Sequence, residues 1–238
     1  FGASGQIGRN LIRKLTKNNY KVVAVTRNIH QKGYILKTQA NPGYLEIVEM
    51  PYFDLNKISS LLDECSICIN LIGILFERRK NYFKNIHTDF PNLLSKLSAK
   101  KNIEKLIHLS SLGVEKSLDS NYAISKLNGE KIVKNNFDRA IILKPSIVYS
   151  VDDNFTTNFM TLLNRLPIMP IYYEGKTKFV PIHVSDLVQI IYDAVEGKIN
   201  KQTIECIGPE ILSFKEIILK LLKAIDKKRL LIPLPLSL

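Results

Sequence analysis

Cysteine is scarce in this 238-residue chain. Its three cysteines, Cys65, Cys68 and Cys206, fit a reducing compartment better than a disulfide framework. Cys65 and Cys68 form a C-x-x-C, but Cys68 lies inside the apolar run Ile67 to Ile72, where a strand is expected. A redox pair sits at a helix start and a zinc site needs a second pair, so both are read as structural. The four histidines show no metal-ligand spacing, and no G-x-S-x-G accompanies them. Metal-dependent chemistry and Ser-His-Asp hydrolysis are therefore set aside. No apolar run approaches the roughly 18 residues that span a bilayer, so no transmembrane segment is expected. Acidic residues are absent from the first 45 positions, which hold eight Lys and Arg. Over the whole chain 34 Lys+Arg face 22 Asp+Glu, and the net charge of +12 favours anionic partners. No nucleic-acid reading motif and no basic patch interleaved with aromatics occurs, so specific nucleic-acid binding is not expected.

What is present is an alternation of strand-length apolar runs with longer helical patterns. Such alternation argues for parallel βαβ units and a doubly wound, Rossmann-type α/β sheet, with a small C-terminal substrate lobe. Helices are predicted over 6–18, 56–63, 85–99, 121–135, 185–196 and 214–225. Strands are predicted over 21–26, 45–49, 66–72, 105–110, 140–144 and 203–207, with a loop-rich stretch between Thr26 and Gly43. After Pro145 the pattern loosens, interrupted by Pro167, Pro170, Gly175 and Pro181. The expected division is a dinucleotide-binding domain over 1–150 and a smaller lobe over 151–238 that partly returns to the sheet. Phe1-Gly2 opens directly on a glycine-rich turn, so the sequence reads as a fragment lacking the first strand.

The turn Gly2-Ala3-Ser4-Gly5-Gln6-Ile7-Gly8, followed by Arg9, carries the first candidate site. Gly2 would permit the tight turn, Gly5 close approach to a pyrophosphate, and Gly8 close packing of the helix on the strand. Backbone N–H groups of Ser4 to Ile7 and the helix dipole would hold the phosphates. An NAD-selective site places Asp or Glu at the end of the second strand; here the chain reads Val25-Thr26-Arg27-Asn28. A guanidinium can fork onto a 2′-phosphate, with Arg9 as a second contact, so NADP(H) is favoured over NAD(H). Asp54 is open to two readings, an adenine-edge contact or a helix N-cap. Leu71 and Gly73 end the strand Asn70-Leu71-Ile72-Gly73, where Gly73 would leave room beside the cofactor.

Leu109-Ser110-Ser111 ends a strand, and Tyr122 and Lys126 share one face of the next helix at i, i+4 spacing. An ammonium beside a phenol stabilises the phenolate, which suits proton transfer to or from a carbinol oxygen. Ser111 would orient the substrate oxygen, and Lys126 would also reach the nicotinamide ribose.

These motifs resemble the extended or atypical short-chain dehydrogenase/reductase family, and the likeness covers nearly the whole chain. It rests on Gly2 to Gly8, Ser110-Ser111, Tyr122 with Lys126, Lys144-Pro145-Ser146 and Val180-Pro181-Ile182-His183-Val184-Ser185-Asp186. The resemblance implies that Pro145 also borders the cofactor. More narrowly, 69–73, 103–110, 129–133 and the closing Pro233-Leu234-Pro235-Leu236 resemble the NAD(P)H-binding accessory subunit of respiratory complex I and its bacterial relatives. That subfamily holds its nucleotide for structure or assembly. It implies a respiratory-complex or membrane-associated partner, and a place in the bacterial cytoplasm or on the mitochondrial matrix side, peripheral to the inner membrane. The chain departs from the sugar-epimerase branch at Leu112, where a further Ser or Thr often meets the substrate. His183 and Asp186 are open to a substrate-lobe role or to a strand end followed by a capped helix. Lys223, Lys227-Lys228-Arg229 and the apolar Leu230 to Leu238 read either as a core-facing helix with a linker or as a seat for a partner or anionic membrane. Three functions compete: a nucleotide-binding structural subunit, an NADPH-dependent reductase, dehydrogenase or epimerase with a Ser-Tyr-Lys site, and a redox-sensing regulator.

Overall fold

The structure is a computed structural model that describes residues 1–77, 79–199 and 201–234. In chain order its elements begin with α1 (Gln6–Lys17), β1 (Val22–Thr26), α2 (Ile29–Lys37), β2 (Leu45–Glu49), α3 (Leu55–Asp63) and β3 (Ile67–Asn70). A short α4 (Tyr82–Lys84) runs through a π-helical turn (Asn85–Asp89) into α5 (Phe90–Lys100), followed by β4 (Lys105–Leu109), α6 (Asn121–Asn136) and β5 (Ala140–Pro145). Then come β6 (Val148–Tyr149), α7 (Asn154–Arg165), β7 (Ile168–Tyr172), β8 (Lys178–Phe179), β9 (Ile182–His183) and α8 (Val184–Val195). The last are β10 (Thr203–Cys206), β11 (Leu212–Ser213), α9 (Phe214–Ala224) and β12 (Leu230–Leu234).

The chain divides into two units, Phe1–Pro145 with Ser185–Cys206, and Ser146–Val184 with the residues from Ile207 onward. The first therefore ends five residues before the expected boundary at 150 and regains α8 and β10. It holds a four-stranded parallel sheet in the order β10-β5-β4-β3 and a separate two-stranded parallel sheet, β1-β2. Phe1 lies along β3: its ammonium donates to Ile69 O at 2.7 Å, and Leu71 N donates to Phe1 O at 3.0 Å. A cleft of about 300 Å³ lies beside it, lined by Ala3, Ile12 and Val22 on one side and Ile67 and Ile69 on the other. All six residues of β5 are buried, as a central parallel strand covered on both faces requires. The core beneath α3, α5 and α6 gathers Ile58, Leu62, Phe90, Leu94, Leu106, Val133 and Ile142.

In the second unit β7 pairs in parallel with β12, β6 with β9, and β8 runs antiparallel to β11. Met169 and Ile171 of β7 pack with Leu163 of α7 and Ile218 and Leu222 of α9.

Four expectations need correction. The stretch between Thr26 and Gly43 contains α2, whose mid-helix Gly33 weakens the local signal. Tertiary burial of Leu36 and an Asn28 side chain accepting from Gln31 N hold it helical. The helix expected over 85–99 starts at Tyr82 and is interrupted by the π turn, with Pro91 in the first turn of α5. The proline-broken region after Pro145 nevertheless forms α7, which Asp153 caps by accepting from Thr156 N. The helix expected over 185–196 is α8, but it starts at Val184, so Ser185 and Asp186 fall inside its first turn instead of capping it. The motif ending in Pro235-Leu236 lies partly outside the described residues. Among the described residues no helix is long and apolar enough to cross a membrane, and no group of His, Cys, Asp or Glu is placed to hold a metal ion.

Candidate functional site

The glycine turn folds as its spacing predicts. Gly2 adopts φ +82°, a left-handed backbone that suits glycine, and Gly5 N donates back to Gly2 O at 3.2 Å. A Cβ on Gly8 would stand 2.5 Å from both Gly2 O and Ala3 O, so α1 starts this close to the turn only because Gly8 has none. Gly5 differs: a Cβ there would meet just Gly2 O at 3.4 Å, and the residue faces a cleft. Gly5 is also the N-cap of α1 and offers no capping side chain. The opening amides of α1, at Gln6 and Ile7, lie at a helix N-terminus, a position that suits an anion. Arg9 Nη1 donates to Ser4 O at 2.9 Å, tying the helix back to the turn.

The cleft measures about 460 Å³ and brings together Gly2, Ser4, Gly5, Thr26, Arg27, Leu71 and Gly73, with Pro51, Tyr52 and Phe53 on another wall. Arg27 is exposed there. Thr26 Oγ1 is buried without a hydrogen-bond partner among the described residues. An open glycine cradle, an uncapped helix start and an orphan hydroxyl in one cleft fit a dinucleotide. Glu49, paired with Thr26 across β1 and β2, is engaged by the α2 backbone: its Oε1 accepts from Ile29 N at 2.8 Å. No local pattern signals this contact, because strand pairing, not sequence distance, brings Glu49 to the start of α2. Asp54 follows its capping alternative, with Oδ1 accepting from Asn56 N at 2.9 Å and Lys57 N at 3.1 Å.

A second cluster holds the chemistry-bearing side chains. Tyr122 and Lys126 lie in the first turns of α6, which Ser120 caps. Burial raises the pKa of the Tyr122 phenol, and the nearby Ser111 side chain acts in the opposite direction. Lys126 is buried and donates to Leu109 O at 3.1 Å. Burial pulls its pKa down to about 8, against the nearby Glu130 carboxylate, which raises it. Gly73 joins the two clusters, for a Cβ there would come within 3.1 Å of Lys126 Nζ. Pro145 ends β5 and accepts from Leu112 N at 2.9 Å.

Next to Ser111, residues from three of the resemblance-bearing segments meet in a charged network with Glu115. Ser110 Oγ donates to Glu130, which is buried in α6. Lys144 Nζ lies 3.7 Å from Glu130 and 2.5 Å from Glu115. Burial opposes the charge of Lys144, but the two carboxylates outweigh it and raise its pKa. His183 packs edge-on against Tyr149 in the second unit at 5.2 Å. The three cysteines are free, and burial raises the pKa of each thiol, consistent with structural roles.

Parallel strands, a glycine turn that opens the first helix, and Tyr122 with Lys126 on α6 define an α/β dinucleotide-binding class. Residues 1–206 match the NAD dependent epimerase/dehydratase family, and the chain belongs to it. It is 27% identical over 219 residues to the NADH dehydrogenase [ubiquinone] 1 alpha subcomplex subunit 9, mitochondrial, of Dictyostelium discoideum, covering 92% of this chain and 61% of that one. It is 23% identical over 230 residues to the NADH-ubiquinone oxidoreductase 40 kDa subunit, mitochondrial, of Neurospora crassa, covering 96% and 60%. The chain thus spans about three fifths of the length of these curated relatives. Among solved structures it is similar in fold to UDP-glucuronic acid 4-epimerase from Bacillus cereus, at TM-score 0.80 and 22% identity, covering 98% of this chain and 84% of that one.

Proposed function

We propose that this chain holds a nicotinamide dinucleotide, NADP(H) in preference to NAD(H), as a lasting part of an accessory subunit of a respiratory complex, with little or no turnover. The cleft that gathers Gly5, the opening of α1, Thr26 and Arg27 carries this reading. Arg27 stands exposed at the cleft while the neighbouring Glu49 is engaged by the α2 backbone, an arrangement that suits a 2′-phosphate. The mitochondrial respiratory subunits among its relatives support the partner, and a place on the matrix face or its bacterial equivalent. Two features favour low turnover. Burial holds the Tyr122 phenol above its ordinary value, the wrong direction for a proton relay near neutrality. Leu112 stands where a further polarising hydroxyl is absent.

The test is to purify the full-length protein under native conditions, release any retained nucleotide by denaturation, and identify it with its redox state. NADP(H) that survives dialysis and is not consumed on incubation is the expected result. Failure of the complete polypeptide to associate with either dinucleotide overturns the reading.

The Ser111 side chain near the Tyr122 phenol, with Lys126 one turn further along α6, supports a second reading, an NADPH-dependent reductase, dehydrogenase or epimerase. When bound, the nicotinamide supplies the hydride for carbonyl reduction. Ser111 then orients the substrate oxygen, Tyr122 passes it a proton, and the Lys126 charge lowers the cost of the phenolate. NADPH consumption with a carbonyl substrate that disappears in Tyr122→Phe would favour this reading over the first.

A further inference from the structure

His87 belongs to no motif in the sequence, yet it is almost wholly buried, at 1% exposure, between the two clusters just described. It sits in the π turn Asn85–Asp89, where one additional residue per turn changes the direction in which side chains point. We propose that His87 is a positioning residue that couples the dinucleotide seat to the Tyr122 helix, one ring nitrogen holding the strap Gly73–Ile74 and the other holding the start of α6. The inference rests on the dinucleotide-binding reading of the cleft.

The hydrogen bonds run in a single direction. Ile74 N lies 3.1 Å from His87 Nε2, and a backbone amide only donates, so Nε2 is the unprotonated nitrogen. The neutral ring then carries its proton on Nδ1, 2.9 Å from Ser125 Oγ. Ser125 Oγ in turn donates to Tyr122 O at 2.7 Å. Ile74 and Gly73 line the cleft, and Tyr122 carries the candidate phenol. Both ends of the relay therefore terminate on functional segments.

The packing around this relay leaves little slack. Thr88 Oγ1 donates to Ser125 O at 3.1 Å, a second tie from the π turn to α6. A Cβ on Gly129 would come within 2.0 Å of His87 O, so α6 approaches the π turn this closely only because position 129 is glycine. The His87 ring stacks on Phe83 at 5.5 Å and meets the Tyr122 ring edge-on, also at 5.5 Å. Burial, followed by the Lys126 charge, lowers the His87 pKa to about 3, so the accepting form is the one present at neutral pH.

The two nitrogens can be tested separately in the full-length protein. His87→Gln offers a carboxamide oxygen near the Nε2 position, and His87→Asn offers an amide donor near Nδ1. Dinucleotide affinity should stay within about threefold in His87→Gln and fall by about tenfold in His87→Asn, the scale of one lost hydrogen bond to the strap. The Tyr122 phenol, followed by tyrosinate absorbance against a Tyr122→Phe background, should titrate at lower pH in both variants because a shielding ring has gone. Equal affinities in His87→Asn and the unaltered protein, equal losses in both variants, or an unmoved titration would overturn the coupling. If the His87 variants do not fold, Ser125→Ala breaks the relay on the Tyr122 side alone: the titration should move while affinity stays within about threefold, and an unmoved titration overturns the proposal. Should the unaltered protein bind no dinucleotide, the functional reading fails, while the Tyr122 titration still decides whether His87 acts on that helix.

Discussion

Ser110 and Ser111 are adjacent in sequence and turn to different partners, Ser110 to the buried Glu130 and Ser111 to the Tyr122 phenol. The extended chain leaving β4 produces this, because successive side chains of an extended backbone point to opposite sides. The two serines therefore separate structure from chemistry. Ser110→Ala removes a donor from a buried carboxylate and should lower stability by about 1–3 kcal/mol in urea unfolding. Ser111→Ala should change stability by less than about 1 kcal/mol, yet move the Tyr122 titration upward, since the Ser111 side chain acts to lower that pKa.

Lys144 is the cation shared by Glu115 and Glu130. Lys144→Met takes away the ion-pair partner of the buried Glu130, leaving it the Ser110 hydroxyl and the nearby Lys126, and unfolding free energy should fall by roughly 3 kcal/mol. The double variant Lys144→Met with Glu130→Gln should recover part of that loss. No recovery would mean that packing of the lysine stem, not charge, holds this corner together.

Arg27 stands exposed at the cleft that gathers the glycine turn. Arg27→Asp should weaken NADP(H) by at least about tenfold and improve NAD(H) relative to it, because a carboxylate repels the 2′-phosphate and accepts from ribose hydroxyls. Isothermal titration with both dinucleotides checks the reversal, and an unchanged ratio of affinities removes Arg27 from the specificity argument.

His87 and His108 both sit in the folded protein with pKa lowered to about 3, chiefly by burial and then by the Lys126 charge. Asn70 Nδ2, a donor, contacts His108 Nδ1 at 3.1 Å, so the neutral ring carries its proton on Nε2, which has no partner among the described residues. In the unfolded chain both rings take up a proton near the ordinary value of 6.5. The unfolded state therefore binds more protons as pH falls below about 6.5, and stability should decline steadily toward pH 4. Two such groups give a limiting slope of about 2.7 kcal/mol per pH unit. Urea midpoints between pH 7 and pH 4 measure it, and His108→Gln should roughly halve the slope.

The glycine turn, α1 and the alternation of strands with helices were legible in the sequence because each is written in local spacing. Gly2, Gly5 and Gly8 recur at one interval, while Leu11, Ile12 and Leu15 repeat at the helical period. Tyr122 and Lys126 declared a common face by their four-residue separation. Helix α2 was not legible, since Gly33 weakens its local preference and a buried Leu36 together with caps from Asn28 and Glu49 decides the matter. Asp54 carried two readings in sequence, and only the amides of Asn56 and Lys57 showed which one its Oδ1 serves.

The amino-acid order by itself determined that this chain builds a parallel α/β sheet with a phosphate-sized turn at its opening, since helix and strand periods and glycine spacing act over a few residues. Only the tertiary structure decided which side chains meet. His87 reaches both Ile74 and Ser125, Glu130 sits between Ser110 and Lys144, and Glu49 stands beside Ile29. These contacts join residues 13 to 38 positions apart in the chain, and the packing of helices onto the sheet creates a proximity that no local pattern encodes.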